Sequence, residues 1–194
     1  MPKEEGVWVY NGGREVGMNL RRISDIHYTP VLDLETGEML GQVVDWAVFP
    51  AQQKIAAYIL SQPTLWRKAQ VVVPADIIEY GPRMIVVRDS QSVIAADEIV
   101  GLPGSLQAKV NLLNFRAETE SGKLLGTIAD FTIEITGATI YQYYVNPPML
   151  TGMIQGEWIL PASKVIRIDQ QRVIFPDSVL AGMKLAAQQQ TQSI

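Results

Sequence analysis

One stretch of this sequence occurs twice: residues 36–46 read TGEMLGQVVDW, and residues 121–131 read SGKLLGTIADF. Both glycines, the aspartate and the bulky residue after it recur at one offset of 85 residues (122 − 37, 126 − 41 and 130 − 45). A constant offset across the whole stretch predicts a duplicated supersecondary unit. The sequence therefore indicates two copies of one small domain.

The match extends beyond this stretch. KIAAYIL at residues 54–60 aligns with TIYQYYV at residues 139–145 at the same offset, and VVPA at residues 72–75 aligns with ILPA at residues 159–162 at an offset of 87 (161 − 74). The second copy thus has two extra residues between its hairpin and its Pro-Ala step. Turn residues there predict a surface loop, and loops accept insertions that strands do not.

Each copy has the pattern of short β-strands. Residues 43–49 and 54–60 in the first copy, and residues 127–135 and 139–145 in the second, are rich in β-branched, aliphatic and aromatic side chains around a turn, which predicts two hairpins. Further strands are predicted at residues 70–73, 84–88, 158–160 and 172–175. Short strands without a long helical period favour an all-β protein of two tandem small antiparallel β-barrels.

The repeated glycines have structural explanations. Gly37 and Gly122 are expected at tight turns, where glycine takes a positive φ without steric cost. Gly41 and Gly126 head a strand, and we expect them at a bulge or bend where a Cβ would collide with the next strand. A phosphate cradle is disfavoured because the spacing lacks the lysine and the helix of a P-loop.

The repeated motif, followed by a hairpin and then by VVPADII at residues 72–78, resembles the PRC-barrel domain family. This family is named after the H subunit of photosynthetic reaction centres, and it also provides the second domain of a ribosome maturation factor. The resemblance covers roughly residues 20–90 and 108–178. It implies a six-stranded β-barrel that serves as a docking module, with no catalytic residues to transfer. The sequence shows neither the membrane helix of the H subunit nor the RNA-binding domain of the maturation factor, so neither specific role is assumed.

Segments outside the repeats complete the predicted organisation. An Asn-Gly dipeptide at Asn11 and Gly12 predicts an N-terminal hairpin. The linker is apolar and is expected to pack on the barrels. Near the C-terminus, Leu180 and Met183 lie on one face of a predicted helix. We divide the chain as follows: N-terminal hairpin, 1–19; PRC-barrel-like domain 1, 20–90; linker, 91–107; PRC-barrel-like domain 2, 108–178; C-terminal helix and tail, 179–194.

Composition narrows the function classes. The chain has 194 residues, is 47% apolar and carries a net charge of −4, which disfavours nucleic acid as the main partner. Arg21 and Arg22, and Arg67 and Lys68, are isolated basic pairs that we interpret as solvated. The absence of cysteine excludes disulfides and thiolate sites. No signal core or run of ~18 apolar residues is visible, so a cytoplasmic protein is expected.

Residue chemistry does not indicate an enzyme. His27 is the only histidine. A metal site built from several histidines is therefore excluded, and a catalytic triad would require a serine and an aspartate to gather around this one residue. Asp45 and Asp130 are repeat mates; paired carboxylates can act as acid and base or hold a divalent cation. We interpret them instead as acceptors for turn backbone. The sequence predicts no catalytic residue, no metal site and no cofactor.

Apolar residues in the predicted loops suggest a different activity. A loop follows each hairpin, and large apolar side chains on proline-stiffened loops are typical of protein interfaces. We therefore predict a non-catalytic scaffold or adaptor that docks a protein partner, such as an assembly or stabilising factor of a photosynthetic complex. A ribosome-associated maturation role and a small-ligand-binding barrel are the alternatives, and self-association and peripheral association with a membrane complex stay open. The predicted partner-binding residues are Pro63, Leu65, Trp66, Pro147, Pro148, Met149, Leu150 and Trp158.

Overall fold

Strands make up most of the regular structure. The computed structural model describes residues 7–11, 14–61, 69–102, 104, 110–148, 156–169 and 171–181, with the backbone alone up to residue 18. Within these residues the strands form one two-stranded sheet and one mixed 14-stranded sheet. The prediction of an all-β protein is confirmed. The described pairings leave the large sheet open, so they do not show the two closed barrels that the sequence predicted.

The N-terminal hairpin forms the small sheet. Strands β1 (Val7–Asn11) and β2 (Arg14–Met18) pair antiparallel, around the Asn-Gly dipeptide that predicted them. In the described pairings this hairpin is separate from the large sheet.

The first half of the large sheet contains the first predicted hairpin, β5–β6, and the shorter strands around it. Its elements are β3 (Leu20–Arg22), the short helix α1 (Ile23–Ile26), β4 (Pro30–Asp33), β5 (Met39–Phe49), β6 (Lys54–Leu60), β7 (Gln70–Val72), β8 (Ile77–Tyr80), β9 (Ile85–Val87) and β10 (Ile94–Ala95). Turns of 3₁₀ helix occupy Pro74–Asp76, Ser90–Ser92 and Ala96–Glu98.

The second half repeats the series from β4 to β9. It contains β11 (Arg116–Thr119), β12 (Leu124–Glu134), β13 (Thr139–Asn146), β14 (Trp158–Pro161), β15 (Arg167–Asp169) and β16 (Arg172–Phe175). A 3₁₀ turn at Ala162–Lys164 follows β14, as the turn at Pro74–Asp76 follows β7. Helical residues begin again at Val179 and continue to residue 181, where the described chain ends.

The two halves have the same strand order and the same strand directions. The first half is ordered β8-β9-β4-β5-β6-β7, and the second is ordered β15-β16-β11-β12-β13-β14. In each order only the second and third strands are parallel, β9 with β4 and β16 with β11. The repeat seen in the sequence is therefore also a repeat of six-stranded topology.

The repeated strand-head glycines lie at β-bulges, next to the extra residue of their own strand, Leu40 on β5 and Leu125 on β12. In the first half the register shifts where Val31 pairs with Gly41, and in the second it shifts where Ala117 pairs with Gly126. The two glycines differ in the space that their surroundings leave for a Cβ atom. A Cβ on Gly126, whose φ is +148°, would lie 2.0 Å from the Asn146 carbonyl oxygen, whereas a Cβ on Gly41 would lie 3.2 Å from the Leu60 Cβ.

The halves meet at the hairpin turns around a pseudo-twofold axis. Lys54 on β6 pairs with its repeat mate Thr139 on β13. Two reciprocal hydrogen bonds flank this pair: Ile55 N donates to Ala138 O at 2.9 Å, and Ile140 N donates to Gln53 O at 2.8 Å. Gln53 and Ala138 are also repeat mates, and both have a φ of 50°.

The segment that precedes each half crosses to the other half. Strand β3 precedes the first half but pairs antiparallel with β12 of the second, Arg21 facing Ile133. Val110 precedes the second half, and its carbonyl accepts a hydrogen bond of 2.9 Å from Val48 N on β5. Val48 and Ile133 are repeat mates, so the exchange is reciprocal.

One hydrophobic core spans both halves. Its fully buried members include Val31 and Tyr58 from the first half and Phe131 and Phe175 from the second. The ring of Trp46 meets that of its repeat mate Phe131 edge to face, with centroids 6.1 Å apart. A smaller cluster of β5, β6 and β7 residues is covered by the linker, where Leu102 is fully buried. The described part of the linker is thus packed on the first half, as predicted.

Candidate functional site

Most of the predicted partner-binding residues lie outside the described part of the chain. Pro63, Leu65 and Trp66 in the first loop are among these, as are Met149 and Leu150 in the second. Their role stays a prediction.

Three of the predicted residues are described. Pro147 and Pro148 directly follow β13 and are half-buried. Trp158 begins β14, where it pairs with Val145 and packs partly buried against the shared core. Much of the Trp158 ring is therefore used by the fold itself.

The strands that lead into the two predicted loops run in opposite directions. Strands β6 and β13 are antiparallel and pair only at Lys54 and Thr139, the first residue of each strand. The loops follow the far ends of these strands, after Leu60 and after Asn146. The described ends of β6 and β13, Leu60 and Asn146, therefore lie at opposite ends of the strand pair.

The repeated aspartates accept hydrogen bonds from the exchanged segments. Asp45 Oδ1 accepts from Trp46 N at 2.9 Å and from Asn111 Nδ2 at 3.2 Å. Asp130 Oδ1 accepts from Phe131 N at 2.8 Å, and Ser24 Oγ donates to Asp130 Oδ2 at 2.7 Å. Each carboxylate thus holds its own strand and the segment that crosses from the other half. Both accept a backbone N–H, but they do so within strands β5 and β12 rather than at the turns that the sequence predicted.

A polar cluster around Tyr144 was missed by the sequence reasoning. The guanidinium of Arg22 lies 3.8 Å from the centroid of the Tyr144 ring and forms ion pairs with Asp130 at 3.7 Å and Glu157 at 3.5 Å. This corrects the interpretation of Arg22 as a solvated residue. The contact depends on the crossing of β3 to β12, and nothing in the local sequence around Arg22 indicates that crossing.

Hydrogen bonds also fix the Tyr144 hydroxyl. Thr132 Oγ1 donates to it at 3.0 Å and Gln142 Nε2 donates to it at 2.6 Å. Burial acts to raise the pKa of Tyr144, but these two hydrogen bonds and the Arg22 charge outweigh it and lower the pKa below the usual value of 10. The hydroxyl and the neighbouring carboxylate of Asp130 are both engaged by the fold, which favours a structural role for this cluster.

Other groups that a ligand could use are few in the described chain. His27 is half-buried, with Nε2 3.0 Å from the Val44 carbonyl oxygen and its ring stacked on Tyr28. Among the described residues, no group of three His, Cys, Asp or Glu side chains is placed to hold a metal ion. Nor does any helix in that part of the chain have the length and apolar character needed to cross a bilayer.

A groove lies at the junction of the two halves. Its volume is about 360 Å³, which is near the lower end of the range for small-molecule sites. The Gln53 amide inside it is already engaged, since its Oε1 accepts from Tyr143 OH at 3.0 Å and its Nε2 donates to Ala162 O at 3.3 Å. The groove is lined by Gln52, Gln53, Thr139, Ile140, Tyr141, Gln142, Pro161, Ala162 and Ser163.

Neither a protein-family model nor a curated protein matches this chain.

Proposed function

We propose that this chain is a non-catalytic docking protein built from two tandem PRC-barrel-type units, each with a six-stranded order of its own. The observation that carries the proposal is the identical strand order and direction of the two halves. It accompanies a repeated motif that resembles the PRC-barrel family, in which the barrel serves as a docking module. In this proposal the protein binds a protein partner in the cytoplasm and stabilises or assembles a multisubunit complex, of which a photosynthetic complex is the leading candidate.

The arrangement of polar groups supports binding rather than catalysis. Asp45 and Asp130 use their carboxylates to hold the exchanged segments, and Tyr144 is surrounded by hydrogen-bond donors. A catalytic group needs a lone pair or a proton that is available to a substrate. In this proposal the loops after β6 and β13 supply the binding surface.

The experiment is affinity purification of the tagged chain from its source cells, followed by mass spectrometry. We expect a partner that wild-type protein retains and that a Trp66→Ala/Met149→Ala variant loses, since interface energy concentrates in a few large side chains. Val100→Ala is the matched control, because Val100 is 95% exposed and lies outside both loops. Circular dichroism has to show a native fold for each variant.

Two results would contradict the proposal in different ways. Undiminished capture by the double variant would show that the loops are not the docking surface. Absence of any partner that also retrieves this chain in the reciprocal purification would remove the docking function itself.

A second candidate, small-ligand binding, is favoured by the groove between the halves. Its lining is neutral and rich in amide and hydroxyl groups, which suits an uncharged polar ligand. Thermal-shift screening with Gln52→Ala as the comparison would detect such binding.

A further inference from the structure

The outer face of the first half carries a contiguous set of apolar side chains. Leu32 on β4 is in register with Met39 on β5 and with Val86 on β9, and paired residues point to the same side of a sheet. Leu34 continues the alternation past the buried Asp33. We call this surface, formed by β5, β4, β9 and β8, the β4 face.

Several of these side chains are open to solvent. Met39 is 62% exposed and Leu34 is 59% exposed. Ile78 on β8 is 50% exposed, and Met84, which directly precedes β9, is 39% exposed. Leu32 and Val86 are half-buried between them. A contiguous exposed set of this kind marks an interaction surface more often than scattered single residues do.

The second half shows that the fold does not require an apolar face here. Register places Glu118 where the first half has Leu32, and it places Arg172 where the first half has Met84. Glu118 is buried beneath Arg116 and Arg172, with ion-pair distances of 2.9 Å and 3.6 Å, and Arg172 and Arg167 both pair with Asp169. The same sheet positions therefore hold a paired-charge network in one half and exposed apolar groups in the other.

Charges around the β4 face indicate what it binds. Glu79 is in register with Val86, and Glu35 and Glu38 lie in the turn between β4 and β5. Arg83 and Arg88 flank β9, so three glutamates face two arginines, and the whole chain has a net charge of −4. None of the three glutamates forms an ion pair with another described residue.

This charge balance favours one class of binding partner for the β4 face over the others. A second copy of the chain or an anionic lipid surface would bring like charge to an acidic face. A segment that carries lysine and arginine beside an apolar stripe would contact both the apolar side chains and the glutamates of this face. Helices bind in this way to apolar grooves with acidic rims.

We propose that the β4 face docks a basic amphipathic helix of the protein partner, a proposal that rests on the docking function above and adds a second, separate surface to it. The large side chains of Met39 and Leu34 provide the apolar contact. Glu79 provides the charge that selects a basic helix over an acidic one.

A pair of synthetic helices tests this proposal directly. The probe is a fluorescein-labelled 18-residue helix of leucine and lysine, and its counterpart replaces each lysine with glutamate. Binding to the full-length protein is measured by fluorescence anisotropy. We expect the Leu34→Glu/Met39→Glu variant to weaken binding of the leucine-lysine helix by about tenfold or more, as loss of central contacts does.

The second half provides the matched control. Leu124, the repeat mate of Met39, and Ile166 are exposed apolar residues outside the β4 face, so Leu124→Glu/Ile166→Glu adds the same charge elsewhere. It should change the Kd by less than about twofold, since only the general field differs. Glu79→Lys serves as a second face variant that removes no apolar group, and we expect it to weaken the lysine helix and to strengthen the glutamate helix.

Four results would overturn the proposal: equal binding by the face and control variants, equal binding of the two helices, binding of anionic vesicles through the face, or a dimer in sedimentation that the face variant abolishes. The last would make the face an interface between copies of this chain. If the face variant leaves partner capture intact while the loop variant abolishes it, this inference fails and the proposed function stands. If no partner is captured by any form, the proposed function fails as well.

Discussion

The clearest test of the fold is the unequal cost of adding one methyl group at two repeated glycines. Gly41 and Gly126 hold the same place in the repeated motif, and each lies next to a bulge in its own strand. Sequence alone predicts equal effects. The structure predicts that Gly126→Ala is severe and that Gly41→Ala is mild.

The magnitude follows from the surroundings of each Cβ. At Gly126 the added atom would lie 2.0 Å from the Asn146 carbonyl oxygen, and the φ of +148° is one that L residues rarely adopt. Backbone strain of this kind costs about 1–3 kcal/mol, and the shift of strand β13 that relieves the overlap costs about 1–3 kcal/mol more. We expect a loss of about 4 kcal/mol in the free energy of unfolding, which is the sum of the two mid-range values.

At Gly41 the added atom would lie 3.2 Å from the Leu60 Cβ and 3.4 Å from the Ser61 carbonyl oxygen. A shift of a few tenths of an ångström relieves these contacts, and φ is not positive, so the expected loss is below ~1 kcal/mol. For a chain of this length each 1 kcal/mol moves the Tm by about 2–4 °C. The two alanine variants should therefore differ by roughly 6–12 °C.

Thermal and urea unfolding followed by circular dichroism measure both variants under the same conditions. Equal losses, or a larger loss for Gly41→Ala, would refute the packing argument. Gly122→Ala is a useful third variant, because Gly122 has a φ of +85° but no atom within 4 Å of its potential Cβ. It isolates backbone strain from steric overlap, and about 1–2 kcal/mol is expected.

Two further predictions concern the whole chain. The shared core predicts one unfolding transition for both halves. Trp46→Ala removes a side chain that is 3% exposed, together with its hydrogen bond to Asn111 O, and it should lower the free energy of unfolding by about 3–5 kcal/mol without splitting that transition. Two separate calorimetric peaks would contradict the shared core. Burial raises the pKa of Tyr80 to about 12 and raises the pKa of Tyr58 well above its usual value of 10. Since the unfolded chain loses these protons near pH 10, the contribution of Tyr80 to stability is complete below pH 10 and is lost as the pH rises through 12. Tyr80→Phe should reduce that alkaline loss of stability in urea titrations, and an unchanged pH profile would contradict this prediction.

The sequence predicts the local hairpins well because their signals are local. Residues 43–49 and 54–60 lie within β5 and β6, and residues 139–145 lie within β13. The β-branched and aromatic runs and the turns between them specify these strands directly. The short strands were predicted unevenly: β7, β9, β14 and β16 were predicted, whereas the equally short β4, β8, β11 and β15 were not. Pairing to distant strands defines such short segments more than propensity does.

The contacts of the candidate sites were harder to predict because they depend on chain crossing. Arg22 meets Asp130 and Tyr144 only because β3 joins the other half. A partial signal for the β4 face was nevertheless present. Leu34 and Glu120 differ in kind, and the structure shows that they hold equivalent places after β4 and β11, since Leu34 N donates to Val87 O and Glu120 N donates to Phe175 O.

Each half is held by the segment that precedes the other half, and this exchange explains why the two halves can differ so much on their surfaces. Ser24 bonds to Asp130 and Asn111 bonds to Asp45, so each half depends on a segment from the other. Around the pseudo-twofold axis, each residue packs against its own repeat mate, as Trp46 does against Phe131. The two members of such a pair constrain each other's size and shape. The outer faces lie away from this axis and have no such constraint. One half therefore keeps a paired-charge network there, and the other is free to present the apolar surface that we assign to a partner.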